Sequence, residues 1–151
     1  MTRVFLTTGL CAALTGLVWG SDLLPATAKP LSEILQILEA NGIAQVKEAE
    51  FDDGLWEIEG VRDQKGVELR VNPATGAILT EEADQHSHLP PATAKSALQI
   101  AQQLEGAGFK PVYEIEWKGK YWKAEAIHQN VRRDLHLSPE TGEILSNELD
   151  D

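Results

Sequence analysis

Apolar residues recur along the chain in two rhythms, one helical and one of period two. Leu31, Ile34, Leu35 and Leu38 are spaced i, i+3, i+4, i+7, which puts all four on one helix face. Ala97, Ile100, Ala101 and Leu104, with Leu98 adjoining, repeat the pattern with smaller side chains. Thr27 and Thr93 are expected to cap these helices, Pro30 to fall in a first turn, and Gly42 and Gly108 to end them. Strand-like runs follow each helix. Val46–Phe51 alternates, with Lys47, Ala49 and Phe51 on one face and Val46, Glu48 and Glu50 on the other; its mate sets Tyr113, Ile115 and Trp117 against Val112, Glu114 and Glu116. The next run sets Trp56, Ile58 and Gly60 against Glu57 and Glu59, and its mate sets Trp122, Ala124 and Ala126 against Lys123 and Glu125. A third carries Val67, Leu69 and Val71, matched by Arg133, Leu135 and Leu137, and a short fourth holds Ile78 and Leu79.

The two series coincide at a fixed offset. Pro25 aligns with Pro91, no gap is needed through Asp84 and Asp150, and about 23 of 60 aligned positions are identical. The most recognisable pair is N-P-A-T-G-A-I-L at Asn72–Leu79 and S-P-E-T-G-E-I-L at Ser138–Leu145. Pro73, Thr75 and Gly76, and likewise Pro139, Thr141 and Gly142, are expected to serve backbone geometry and local hydrogen bonding at a turn. The expected fold class is α+β: two tandem units, each one helix packed on a 3–4-stranded antiparallel sheet with its other face wet. Their bounds are 24–84 and 89–150, joined by a linker at 85–90 within the polar stretch Glu81–Pro91.

Met1–Gly20 has a short positive start at Arg3 and an uncharged apolar run from Val4 to Trp19, broken by Gly9 and Gly16. That is short for a membrane span and fits a secretory signal peptide. Cleavage is expected after Gly20. A-T-A before Lys29 offers a later site, after Ala28, but P-A-T-A-K recurs at Pro91–Lys95, so its first copy reads as part of the fold. The only cysteine, Cys11, lies in the apolar run, so the mature protein has no thiol for a disulfide, a metal site or a nucleophile.

Formal net charge is −11. Such an acid excess disfavours a nucleic-acid partner or docking on anionic lipid, and no membrane insertion is expected after signal removal. It suits a solvated surface that could meet a basic patch on a partner.

An amphipathic helix, a V-x-E-x-E strand, a W/Y-x-x-E strand, an L-x-V/L strand and a closing P-x-T-G-x-I-L together resemble the PepSY domain, once in each half. Asn72 and Ser138 stand where that family usually has Asp, a conservative change for a turn. The resemblance implies an extracytoplasmic module. Domains of this kind occur in propeptides of thermolysin-type metallopeptidases and in envelope proteins, and are proposed to inhibit or regulate peptidases. The layout is also similar in outline to β-lactamase inhibitor protein, at the level of fold alone. The resemblance carries no catalytic residues.

Among the remaining candidates, Trp56 and Trp122 occupy equivalent inward positions and read as core, as does Trp117. Leu55 and Tyr121 point the other way, beside Glu57, Glu59, Lys123 and Glu125, and these six form the candidate interaction surface. The acidic strand faces lack an accompanying nucleophile or calcium loop. His86 and His88 form an H-x-H without further ligands to complete a site. No catalytic, cofactor or metal residues are assigned, and no cofactor is expected. The sequence reads as an exported non-enzymatic protein-interaction module, periplasmic or extracellular. Its expected partner is another envelope or secreted protein, with regulation or inhibition of a peptidase as the specific form. The alternative is a small-molecule or divalent-cation-binding envelope protein using the acidic sheet face.

Overall fold

The computed structural model describes residues 23–85 and 88–150; Met1–Gly20, expected to be a signal peptide and containing Cys11, and His86 lie outside the described residues. Helix α1 (Leu31–Ala40) is followed by strands β1 (Ala44–Asp52), β2 (Leu55–Arg62), β3 (Lys65–Val71) and β4 (Ile78–Asp84). Helix α2 (Ala97–Gly106) is followed by β5 (Val112–Trp117), β6 (Trp122–His128), β7 (Val131–Leu137) and β8 (Ile144–Leu149). Strand β4 is longer than the short closing strand expected, and it absorbs the start of the polar stretch.

The assembly corrects the expected fold class. All eight strands form one antiparallel sheet in the order β4-β3-β2-β1-β5-β6-β7-β8, instead of two tandem units each with a helix on its own sheet. The join is the pairing of β1 with β5, through Glu48↔Glu116, Ala49↔Ile115 and Glu50↔Glu114. Physically, separate units would each leave a strand edge with unpaired N–H and C=O groups. Each would also bury a core too small for comfortable stability. Pairing β1 with β5 satisfies both edges and fuses the cores. Residues of both helices and of β1–β3 and β5–β7 belong to one buried cluster, with Trp56 and Trp122 fully enclosed. Helix α1 packs on α2, which lies against β5 and β1.

The helices also start later than expected. Pro30 is the N-cap of α1 and offers no side-chain acceptor, whereas Ser96 caps α2 in a reciprocal box with Gln99. Thr27 and Thr93 instead lie within turns closed by Ala28 N–H to Pro25 O and Ala94 N–H to Pro91 O, both 2.9 Å. The acceptor α1 lacks comes from α2: the Glu105 carboxylate accepts Ser32 N–H at 3.1 Å and also the Ser32 hydroxyl.

Both strands of the join carry irregularities that overturn part of the expected alternation. In β1 the register shifts between Ala44 and Glu48, with Gln45 in the left-handed region at φ 48°. Val46 consequently packs against the core and Lys47 pairs with Glu59. In β5 the shift falls between Val112 and Glu114. Val112 is buried, and Tyr113 lies under the Arg132 guanidinium, 4.7 Å from the ring centroid. An extra residue on one strand reverses the facing of those before it. From Glu48 and Glu114 onward the expected two-face pattern holds.

Candidate functional site

The helices cover one face of the sheet. On the other, two rows of side chains cross all eight strands. One runs Thr80, Arg70, Glu57, Glu50, Glu114, Glu125, Asp134, Glu148; the second runs Glu82, Glu68, Glu59, Glu48, Glu116, Lys123, His136, Ser146. These polar positions face outward because the intervening ones carry the core. Carboxylates dominate the centre of both rows.

Cations interleave with them. Arg70 pairs with Glu57 and Lys47 with Glu59. Lys118 reaches Glu116 at 2.9 Å. Lys123 lies between Glu125 at 3.0 Å and Glu114 at 3.3 Å, and Arg132 bridges Glu125 and Asp150, each at 2.8 Å. Burial and the facing carboxylates Glu59 and Glu116 push Glu48 up to about 7. Burial, with a hydrogen bond shared with Glu125, pushes Glu114 up to about 8. Burial alone would raise Glu125 too, but hydrogen bonds from Arg132, Glu114 and Lys123 outweigh it and hold that carboxyl below its ordinary value. Burial works against the Lys123 charge, yet bonds to Glu125 and Glu114 raise its proton affinity above that of an ordinary lysine.

The six candidate residues all belong to this outer side, but as two groups. Leu55, Glu57 and Glu59 are on β2, while Lys123 and Glu125 are on β6 with Tyr121 just before it. Strands β1 and β5 intervene, so the groups are three strand spacings, about 14 Å, apart. Tyr121 stacks on His136 with ring centroids 4.3 Å apart, and Leu55 is half-buried opposite Asp52. What the sequence reading missed is the middle: Glu48, Glu50, Glu114 and Glu116 juxtaposed on adjacent strands. The repeated E-x-E was visible, but the pairing of one copy with the other was not.

The closing turns lie away from that centre. Ala77 N–H donates to Thr75 Oγ1 and Glu143 N–H to Thr141 Oγ1, both at 3.2 Å. Pro73 O and Pro139 O accept Lys29 N–H and Lys95 N–H at 2.9 and 2.7 Å, tying each turn to the segment before its helix. Gly76 has φ 75° and faces Ile37 of α1, where a Cβ would come within 2.8 Å of Ile37 Cδ1. Gly142, at φ 72°, faces Gln103 of α2 in the same way.

Two hollows flank these features. Leu24, Pro25, Ala28, Leu31 and Pro111 help to line one of about 470 Å³, where Glu105 is already engaged by Ser32. A polar hollow of about 320 Å³ has Lys47, Glu48, His88, Glu116 and Lys118 on its walls. Among the described residues, no group of three or more His, Cys, Asp or Glu is arranged to hold a metal ion. None of their helices is long and apolar enough to cross a membrane.

Comparison with known proteins adds a family match over part of the chain. No curated protein matches the chain. Among solved structures, a candidate lipoprotein from Clostridium difficile 630 is similar at 14% identity and TM-score 0.43, covering 80% of this chain and 93% of that one. A BLIP-like protein from Bacteroides fragilis NCTC 9343 is similar at 18% identity and TM-score 0.32, covering 85% and 89%. Residues 24–82 match the PepSY_2 family model, described as "Peptidase propeptide and YPEB domain", so that segment of the chain is similar to a PepSY-type domain.

Proposed function

We propose that this chain is an exported, non-enzymatic protein-interaction module of the cell envelope, and that its partner is a peptidase which it regulates or inhibits. The observation that carries this reading is the match of residues 24–82 to a domain described from peptidase propeptides. The shared sequence pattern of the two halves supports reading 89–150 as a second copy, fused to the first within one sheet. The contact surface is the outer face, with Glu57 and Glu59 on one side of the join and Lys123 and Glu125 on the other. Export follows from reading Met1–Gly20 as a signal peptide, with the mature protein in the periplasm or outside the cell. The cation-binding alternative has less support, since among the described residues the carboxylates do not converge on a common point.

The test is to titrate the mature protein against a panel of secreted and envelope metallopeptidases. Saturable inhibition or binding is expected for at least one, weakened tenfold or more by Glu57→Lys together with Glu125→Lys. Unchanged rates and no binding across the panel would remove the peptidase reading. Calcium calorimetry showing heat and a raised melting temperature would favour the alternative instead.

A further inference from the structure

We propose that the β1–β5 join is a proton-operated seam, closed when its opposed carboxyls are protonated and loosened as they ionise. The seam is short, with three residue pairs holding two four-stranded halves in one sheet. Its register is self-complementary. At the repeat offset, Glu48 corresponds to Glu114, Ala49 to Ile115 and Glu50 to Glu116, and the observed pairs are Glu48↔Glu116, Ala49↔Ile115 and Glu50↔Glu114. A strand paired antiparallel with its own counterpart sets like against like, as any isologous contact does. Here that puts glutamate opposite glutamate at two of the three pairs. Directly opposed like charges weaken a strand pair.

The surroundings do not cancel the repulsion. Glu48 faces Glu59 on β2 and Glu116 on β5, and Lys47 beside it is engaged by Glu59. Glu50 faces Glu57, which Arg70 engages, and Glu114. Glu114 is 8% exposed and faces Glu125 and Lys123, the latter shared between both carboxyls. Glu116 holds Lys118, Asp84 acts on Lys47, and the His88 side chain lines the hollow at the Glu48 end. Raised proton affinity at Glu48, Glu50 and Glu114 agrees with this geometry. The central pair of the join, Ala49 and Ile115, has its side chains in the core, so the change is a local loosening of this strand pair within a folded chain.

Amide hydrogen exchange of the intact mature protein tests the seam, with each rate divided by its intrinsic rate at the same pH. Between pH 5.5 and 8, protection of the β1–β5 amides is expected to fall at least tenfold, while β2–β3 amides change less than about threefold. Glu48→Gln with Glu114→Gln should abolish the difference, and Glu116→Gln alone should reduce it if the double variant does not fold. Equal changes in both strand pairs of the wild-type protein, or an undiminished seam effect in a folded variant, would overturn the proposal.

Discussion

Replacing Glu105 by alanine probes the tie between the two halves at the helices. The Glu105 carboxylate, in the last turn of α2, accepts both the backbone N–H and the hydroxyl of Ser32 in α1. It supplies a capping acceptor that Pro30 cannot. Losing an N-cap costs about 1 kcal/mol, and a hydrogen bond to a charged group about 1.5–3 kcal/mol. Against this, a carboxylate at the negative end of a helix is unfavourable by about 0.3–1 kcal/mol, which the substitution relieves. The net expectation is a loss of about 1.5 kcal/mol, or roughly 5 °C in melting temperature for a chain of this size. Glu39, at the matching position of α1, is exposed and provides the control: Glu39→Ala should stay within about 0.5 kcal/mol. Urea denaturation followed by tryptophan fluorescence measures both. A double-mutant cycle with Ser32→Ala should give a coupling of about 1 kcal/mol. Equal effects of Glu105→Ala and Glu39→Ala, or strict additivity with Ser32→Ala, would refute the interhelix cap.

Trp122 donates its indole N–H to Lys95 O at 3.0 Å, while the equally buried Trp56 N–H has no hydrogen-bond partner among the described residues. Trp122→Phe is therefore expected to cost about 1 kcal/mol more than Trp56→Phe in equilibrium unfolding. Gly76→Ala should cost more than Gly54→Ala, by about 1–3 kcal/mol in thermal melts. Both glycines have positive φ, but only Gly76 has a side chain, Ile37, in the way. Stability should also fall as pH rises from about 5 to 8. Glu48 and Glu114 bind protons more tightly folded than unfolded, so their contribution is full below the ordinary value of 4.5 and is lost as pH climbs through about 7 and 8. Glu125 is held low and acts oppositely, losing its contribution on acidification below the ordinary value. Melting temperature against pH should thus peak in mildly acidic buffer, and Glu114→Gln should flatten the neutral-side decline.

The elements were legible because their signals are local. Periodicity located both helices, and Trp56 and Trp122 were identifiable as core from their apolar companions two residues on. Two things were not legible, for different reasons. Local irregularity was invisible: nothing in A-Q-V-K announces that Gln45 turns left-handed and exchanges the faces of Val46 and Lys47. Strand partnership was non-local: V-K-E-A-E-F alternates equally well at an edge or at the centre of a sheet. The N-cap of α1 shows the same limit, since its acceptor, Glu105, lies 73 residues away. For the candidate surface, the side of the sheet was readable from alternation. The separation of its two groups by β1 and β5 depended on the join.

That the halves form one sheet is tested most directly by cross-strand nuclear Overhauser effects between β1 and β5 in the mature protein at pH 5.5. Contacts between the backbone protons of Ala49 and Ile115, flanked by Glu48 with Glu116 and Glu50 with Glu114, are the predicted result. Intact β1–β2 and β5–β6 contacts with none across Ala49 and Ile115 would contradict the continuous sheet.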